Sequence, residues 1–394
     1  MTDSKHTDRI VAGTGAAPAI DEWWRGLLWP RLLTAVALGL RPGRVGLAFV
    51  GLAATTVLLG FGLQFDTWIG RGRIAWPALA SAQPALVWDA AIATPLALVR
   101  GAPITTLVMG PFVLALWGVL LGAISRLAAL EMGLGQFGAW HDGLNFAAAR
   151  WRSLVGVALG PAIVVWTIAL LLAAAGWIIQ WPVANVIGAL LLGLALLAGL
   201  FAVVVALGLS ISHGLCIAAV ASDGADAIDA VQRGFAYLFS RPLRLFLYMF
   251  LAGLGVTLVA VVSFILLIAT LDFVGRGLGI WMSNDRAIPF VGPLFGAALG
   301  LGTGTDDLTG TALLTSRIVG FWAGAAAMLA QAVVISGWMG ATTAVYLAIR
   351  RACDGQDPAD LYVPGAMEAA MSDAAAARVT PGMVRGGAPL EGDA

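Results

Sequence analysis

Apolar positions in this chain gather into six long runs, at about residues 45–63, 104–124, 154–179, 183–212, 243–271 and 318–349, and the segments between them hold nearly all the charge. A bilayer core of about 30 Å takes roughly 20 helical residues to cross, so each run predicts a membrane-spanning helix. The pattern as a whole predicts an all-α polytopic bundle of about six spans. The last four runs exceed the minimum length, which predicts that they tilt, kink or extend beyond the bilayer. Gln180, Trp181 and Pro182 alone separate the third run from the fourth, predicting a tight antiparallel hairpin. Longer connections at 64–103 and 272–317 contain semi-apolar stretches, Ala85–Val99 and Pro289–Gly302. The second of these reads either as an interfacial or surface segment or as a re-entrant loop lining a cavity.

Charge orients the runs. Sixteen of the 22 Lys and Arg residues fall on the side holding both termini, and six on the other. By the positive-inside rule both termini are expected in the cytoplasm. Trp68, Trp177 and Trp181 fall at the opposite span ends, where an indole prefers the headgroup layer. Residues 1–20 are expected to be a disordered cytoplasmic N-terminus, 21–362 the membrane domain, and 363–394 a disordered cytoplasmic tail, since this last segment lacks apolar periodicity. No short apolar segment with a small-residue cleavage site marks a signal peptide, so the first span is expected to insert by itself.

Composition sharpens this reading. Hydrophobic residues make up 60% and charged residues 11% of the chain, against roughly 25% charged in soluble domains, so a water-facing surface cannot enclose it. Net charge is zero, which argues against a nucleic-acid partner. A single lysine among 22 basic residues, with abundant Ala and Gly, suggests a GC-rich bacterial source and hence the inner membrane. Cys216 and Cys353 stand far apart and predict free thiols rather than a disulfide framework.

Short motifs recur. Arg41-Pro42-Gly43-Arg44 precedes the first span, Arg241-Pro242-Leu243-Arg244 the fifth, and Arg150-Trp151-Arg152 the third. D-G-x-D-x-x-D follows the fourth span (Asp223, Asp226, Asp229) and the sixth (Asp354, Asp357, Asp360), while Glu131-Met132-Gly133 is the corresponding echo after the second. These repeats predict three two-span units of common orientation, each entered through a cytoplasmic interfacial helix and an arginine-bearing elbow. Apolar residues at helical spacing predict such interfacial helices at 23–36 and at 224–239, with Ile228, Val231, Phe235 and Leu238 on one face.

Candidate chemistry is sparse. The elbow arginines Arg41, Arg44, Arg150, Arg152, Arg241 and Arg244 are the candidate lipid- or partner-contacting residues, either as ordinary headgroup anchors or as a specific site. The aspartates of each acidic motif are spaced to share one helical face, which suits either capping of a helix start or collection of a divalent cation. His6, His141 and His213 have no neighbours in metal-ligand spacing, and no nucleophile elbow, phosphate loop or dinucleotide fingerprint is visible. No cofactor is expected. The predicted span cores carry hydroxyls and amides, Thr55, Thr56, Thr167 and Ser210 among them, but essentially no ionisable groups, which lowers the expectation of a proton-coupled transporter. Gly118 and Gly122, Gly156 and Gly160, and Gly320 and Gly324 form G-x-x-x-G pairs suited to close helix packing, within the bundle or at a dimer face.

The stretch from Asp223 through Arg233 and Tyr237 to Arg244, the segment Arg126–Glu131, and the ending Tyr346–Arg351 with Asp354-Gly355 resemble uncharacterised multi-pass membrane proteins of bacteria over roughly residues 25–362. The resemblance implies a six-span architecture and carries no activity or site residue. The expectation is a non-enzymatic membrane scaffold or accessory subunit whose partners are membrane lipids, other membrane proteins or further copies of itself. The alternative is a transporter or channel with a hydroxyl-lined path between the repeats.

Overall fold

In the computed structural model, residues 40–71, 89–181, 188–281, 294, 296 and 309–363 are described. They form helices and no strands. In chain order these are α1 (Pro42–Trp68), α2 (Thr94–Gly101), α3 (Gly110–Leu134), α4 (Trp140–Ala149), α5 (Trp151–Ile178), α6 (Leu192–Asp223), α7 (Ala227–Ser240), α8 (Pro242–Gly279) and α9 (Gly310–Asp354). Two π-helical turns, Asp89–Ala93 and Thr105–Met109, flank α2, and the second runs directly into α3. Six helices are long and apolar enough to cross a membrane: α1, Thr105–Leu134, α5, α6, α8 and α9.

Local chemistry sets where each helix begins and ends. Pro42 and Pro242 occupy the first turn of α1 and α8, where a missing N–H costs nothing and the fixed φ suits the helix. Arg41, Arg150 and Arg241 each stand one residue before an outgoing span. The returning spans α3, α6 and α9 all stop at a glycine in the left-handed region, Gly135 (φ 66°), Gly224 (φ 66°) and Gly355 (φ 70°). That conformation costs an L-residue roughly 1–2 kcal/mol and glycine nothing comparable. In the first copy the terminator is therefore Gly135, and Gly133 lies within the last turn of α3.

α4 and α7 fill the place of the interfacial helix in two units, and each passes straight into a span at Arg150 or Arg241. The face proposed for the second needs adjusting. Ile228 is exposed, but Leu238 is buried beside Ala230, Gly234 and Tyr237 on the side turned to the bundle. The expected helix at 23–36, both terminal segments and, apart from Leu294 and Gly296, the 289–302 stretch lie outside the described residues.

Outgoing helices pack against returning ones. α1 lies against α3 and α9, α5 against α6 and α3, and α8 chiefly against α9, while α3, α6 and α9 touch each other. Burial is concentrated at the end where the returning helices finish, called here the elbow end. In α6, Leu194, Leu197 and Leu200 are exposed, whereas every residue from Leu215 to Ser222 is buried. α9 repeats this, with Phe321 and Trp322 exposed and Met339–Arg350 buried. A helix apolar on all sides is stable when enclosed by protein or lipid. In the outer halves lipid is the partner; at the elbow end protein is.

Small residues make that enclosure close. Gly214 faces Thr342, and Gly118 and Gly122 face Val155 and Leu154, so the first G-x-x-x-G pair joins α3 to α5 within one chain. A Cβ placed at Gly160 or Gly324 would touch nothing, and those glycines mark open helix faces. α9, with 45 residues, is about 67 Å long at 1.5 Å per residue, roughly twice the bilayer core. The expectation that the longer spans outrun the membrane holds by length.

Candidate functional site: the arginine-clamped elbow end

Three returning helices finishing together bring three sets of orphan carbonyls and three negative dipole ends to one place. Arginines meet them. Arg44 on α1 donates to the Leu127 carbonyl of α3 at 2.8 Å and pairs with Glu131. Arg126 on α3 donates to the Ala221 carbonyl near the end of α6 at 2.9 Å, and Arg150 donates to the carbonyl of Gly224. Two of these arginines thus meet the end of α6, and the third grips α3 two turns before its end.

Asp223 anchors the largest cluster. Its carboxylate accepts from Arg350 of α9, from Tyr346 Oη at 2.5 Å and from Arg233 Nη1 of α7 at 2.9 Å. Arg350 is 1% exposed and also donates through Nη2 to the carbonyls of Asp357 (2.8 Å) and Asp360 (3.1 Å). Tyr237 of α7 donates to Asp354 at the end of α9, and the Tyr237 and Tyr346 rings stand 5.8 Å apart. Burial, then the hydrogen bond to Asp354, pushes the Tyr237 phenol above its ordinary pKa; the hydrogen bond to Asp229 raises the Arg233 guanidinium. Both groups are thereby held in their protonated forms.

The chain leaving α9 runs back as a strap over the other helix ends. Tyr362 N–H donates to the Ser222 carbonyl at 2.7 Å, and Arg126 Nη2 donates to the Tyr362 carbonyl at 2.7 Å. Arg126 lies 4.4 Å from the Phe146 ring centre, and Arg150 lies 4.6 Å from that of Tyr362. Gly133 leaves the space that Pro358 and Leu361 occupy.

The six candidate elbow arginines separate into two sets. Arg41 and Arg44 share Glu131, with side-chain exposures of 51% and 5%, and Arg150 is engaged by Gly224 and Tyr362. Arg152 is exposed, lies 5.8 Å from the Trp151 ring, and joins Arg241 and Arg244 in having no ion pair among the described residues.

The acidic motifs do not place their aspartates on one face. Asp223 ends α6, Gly224 turns the chain, and Asp226 caps α7 by accepting from Asp229 N–H at 2.8 Å. Asp354, Gly355 and Asp357 repeat this, with Asp357 Oδ1 accepting from Ala359 N–H at 2.9 Å. The motif is thus a helix stop followed by a local cap. Among the described residues no three His, Cys, Asp or Glu side chains stand close enough together to hold a metal ion.

At the opposite end Asp66, fully buried, accepts from Ile104 N–H (2.9 Å), Thr105 N–H (2.8 Å) and Thr105 Oγ1 (2.6 Å). It caps the span that starts after the break at Ala102. Sequence reading did not single out Asp66, which sits just past the apolar core of its run. Nor did it see that Asp223, Tyr237, Tyr346 and Arg350 meet, although the segments carrying the resemblance contain all four.

Fold and contacts define a polytopic α-helical membrane protein. Comparison with protein-family models, curated proteins and solved structures finds no match. Of the resemblance, the six-span architecture is what the structure bears out.

Proposed function

We propose that this chain is a non-enzymatic membrane scaffold or accessory subunit that presents its elbow end to lipids and membrane-protein partners. The observation that carries the reading is the division of the arginines. One set, with Glu131 and Asp223, ties the helix ends into a stiff platform, and the other, Arg152, Arg241 and Arg244, is left unpaired within the described residues at its rim. A fixed platform with uncommitted cations suits recognition, where preorganisation reduces the ordering cost of binding. On the arginine bias this end belongs in the cytoplasm of a bacterium, with the protein in the inner membrane.

Affinity purification in mild detergent tests the reading. Partners are expected with the native chain and are lost when Arg152, Arg241 and Arg244 are all changed to Gln, with thermal stability unchanged. Recovery of the isolated chain alone would sink the proposal. The transporter alternative draws less support, because Thr55, Thr56, Thr167 and Ser210 donate to carbonyls four residues back in their own helices.

A further inference from the structure

Beside the platform, α5, α6 and α7 enclose an apolar groove of about 550 Å³, lined by Gly160, Pro161, Phe201, Val204, Phe235 and Phe239 among others. A second cavity of about 730 Å³ opens at the start of α5, and Asn145, Arg150, Arg152 and Ser153 put polar groups in its walls beside Phe146 and Tyr362. One stripe of α5 serves both. Arg152 and Ser153, in the first turn of α5, line the basin, and three- and four-residue steps along the same face reach Gly156, Gly160 and Val164 in the groove. Ala227 closes on Gly156 at the seam between them.

We propose that this stripe is a binding site for one anionic phospholipid of the surrounding leaflet, with its phosphate in the arginine basin and an acyl chain in the groove. Charge selects the headgroup. Arg152 has no carboxylate partner among the described residues. The one acid in the basin wall, Asp142, is already engaged by the Ala139 N–H at 3.2 Å and by His141 at 3.4 Å. Shape selects the tail, because the absent side chain at Gly160 leaves open space where a chain can lie, and Phe201 and Phe239 flank it while remaining exposed. A groove beside interfacial arginines, at the end of a helix running into lipid, receives both halves of an amphiphile. The inference rests on the reading of the elbow end as a lipid-contacting surface.

Native mass spectrometry of the full chain, titrated with phosphatidylglycerol or phosphatidylcholine, tests it. The native protein should retain one phosphatidylglycerol in preference to phosphatidylcholine. Arg152→Gln should lower the apparent affinity for phosphatidylglycerol about fivefold, to the level of phosphatidylcholine. Gly160→Phe, at a position where a Cβ meets no atom within 4 Å, should fill the groove and abolish retention of both lipids, whereas Gly253→Phe, at an equally open position on α8, should leave it intact. Equal retention of the two lipids by the native chain, or unchanged retention in Gly160→Phe, overturns the proposal. A native dimer that becomes monomeric in Gly160→Phe also overturns it, giving the groove to a second copy. Partner capture is scored separately on the same protein without added lipid. Selective lipid retention with no captured partner therefore rejects the scaffold and keeps the site.

Discussion

Arg350, buried in the last turns of α9, is held by the carboxylate of Asp223 at the end of α6, a pairing 127 positions apart in sequence. It joins the ends of two returning spans and, through Arg233, ties α7 to both. Asp223→Asn leaves the guanidinium buried without its counter-charge. Loss of one member of such a pair costs about 3–5 kcal/mol. Thermal unfolding in detergent should show the largest drop of any single elbow substitution, and a stability equal to that of the native chain would refute the anchoring role.

Glu131 distinguishes two arginines that look equivalent in sequence. Arg44 is enclosed with it, whereas Arg41 is half exposed. Arg41→Gln is expected to change stability by about 0–1 kcal/mol, as for surface ion pairs. Arg44→Gln removes the enclosed partner of Glu131 and the donor to the Leu127 carbonyl, leaving only the half-exposed Arg41 on the carboxylate, and should cost about 1–3 kcal/mol. Paired denaturation curves check the ordering.

Gly224→Ala combines two penalties. The left-handed backbone costs about 1–2 kcal/mol, and the added Cβ would lie 2.7 Å from the Tyr362 ring. The strap should detach first, so limited proteolysis between 355 and 363 should quicken before the bundle melts.

Removing the cap on the second span, by Asp66→Ala, strands the N–H groups of Ile104 and Thr105. The expected cost is about 1–3 kcal/mol. Hydrogen exchange should rise at 102–109 and stay unchanged at the elbow end.

For Tyr237 the pKa is raised on folding, so its contribution is fully present below the ordinary tyrosine value of about 10 and is lost as pH rises through the higher folded value. Stability should therefore be insensitive to this group from about pH 6 to 9. Ultraviolet titration should show a late phenolate that is missing in Tyr237→Phe.

Six spans were legible because hydropathy and length are local properties, and lipid leaves a crossing chain no option but helix or closed barrel. Arg41, Arg150 and Arg241 at the span starts were legible for the same reason, since a charge before an apolar run has few places to go. Which arginine turns inward was not. Arg44 and Arg244 occupy matching motif positions, yet one meets Glu131 and the other has no ion pair among the described residues. Only the docking of α1 beside α3 decides that. D-G-x-D-x-x-D likewise specified its own stop and cap through Gly224 and Asp226, while the recruitment of Asp223 by Arg350 required two distant helix ends to arrive together. Sequence by itself determined that there are six spanning helices, because backbone hydrogen bonding and transfer into lipid act residue by residue, but not how far they run past the apolar segments, by ten residues in Thr105–Leu134. Tertiary structure decided the clamp, the strap and the free arginines, because burial of a charge depends on which other chain segment is there to neutralise it.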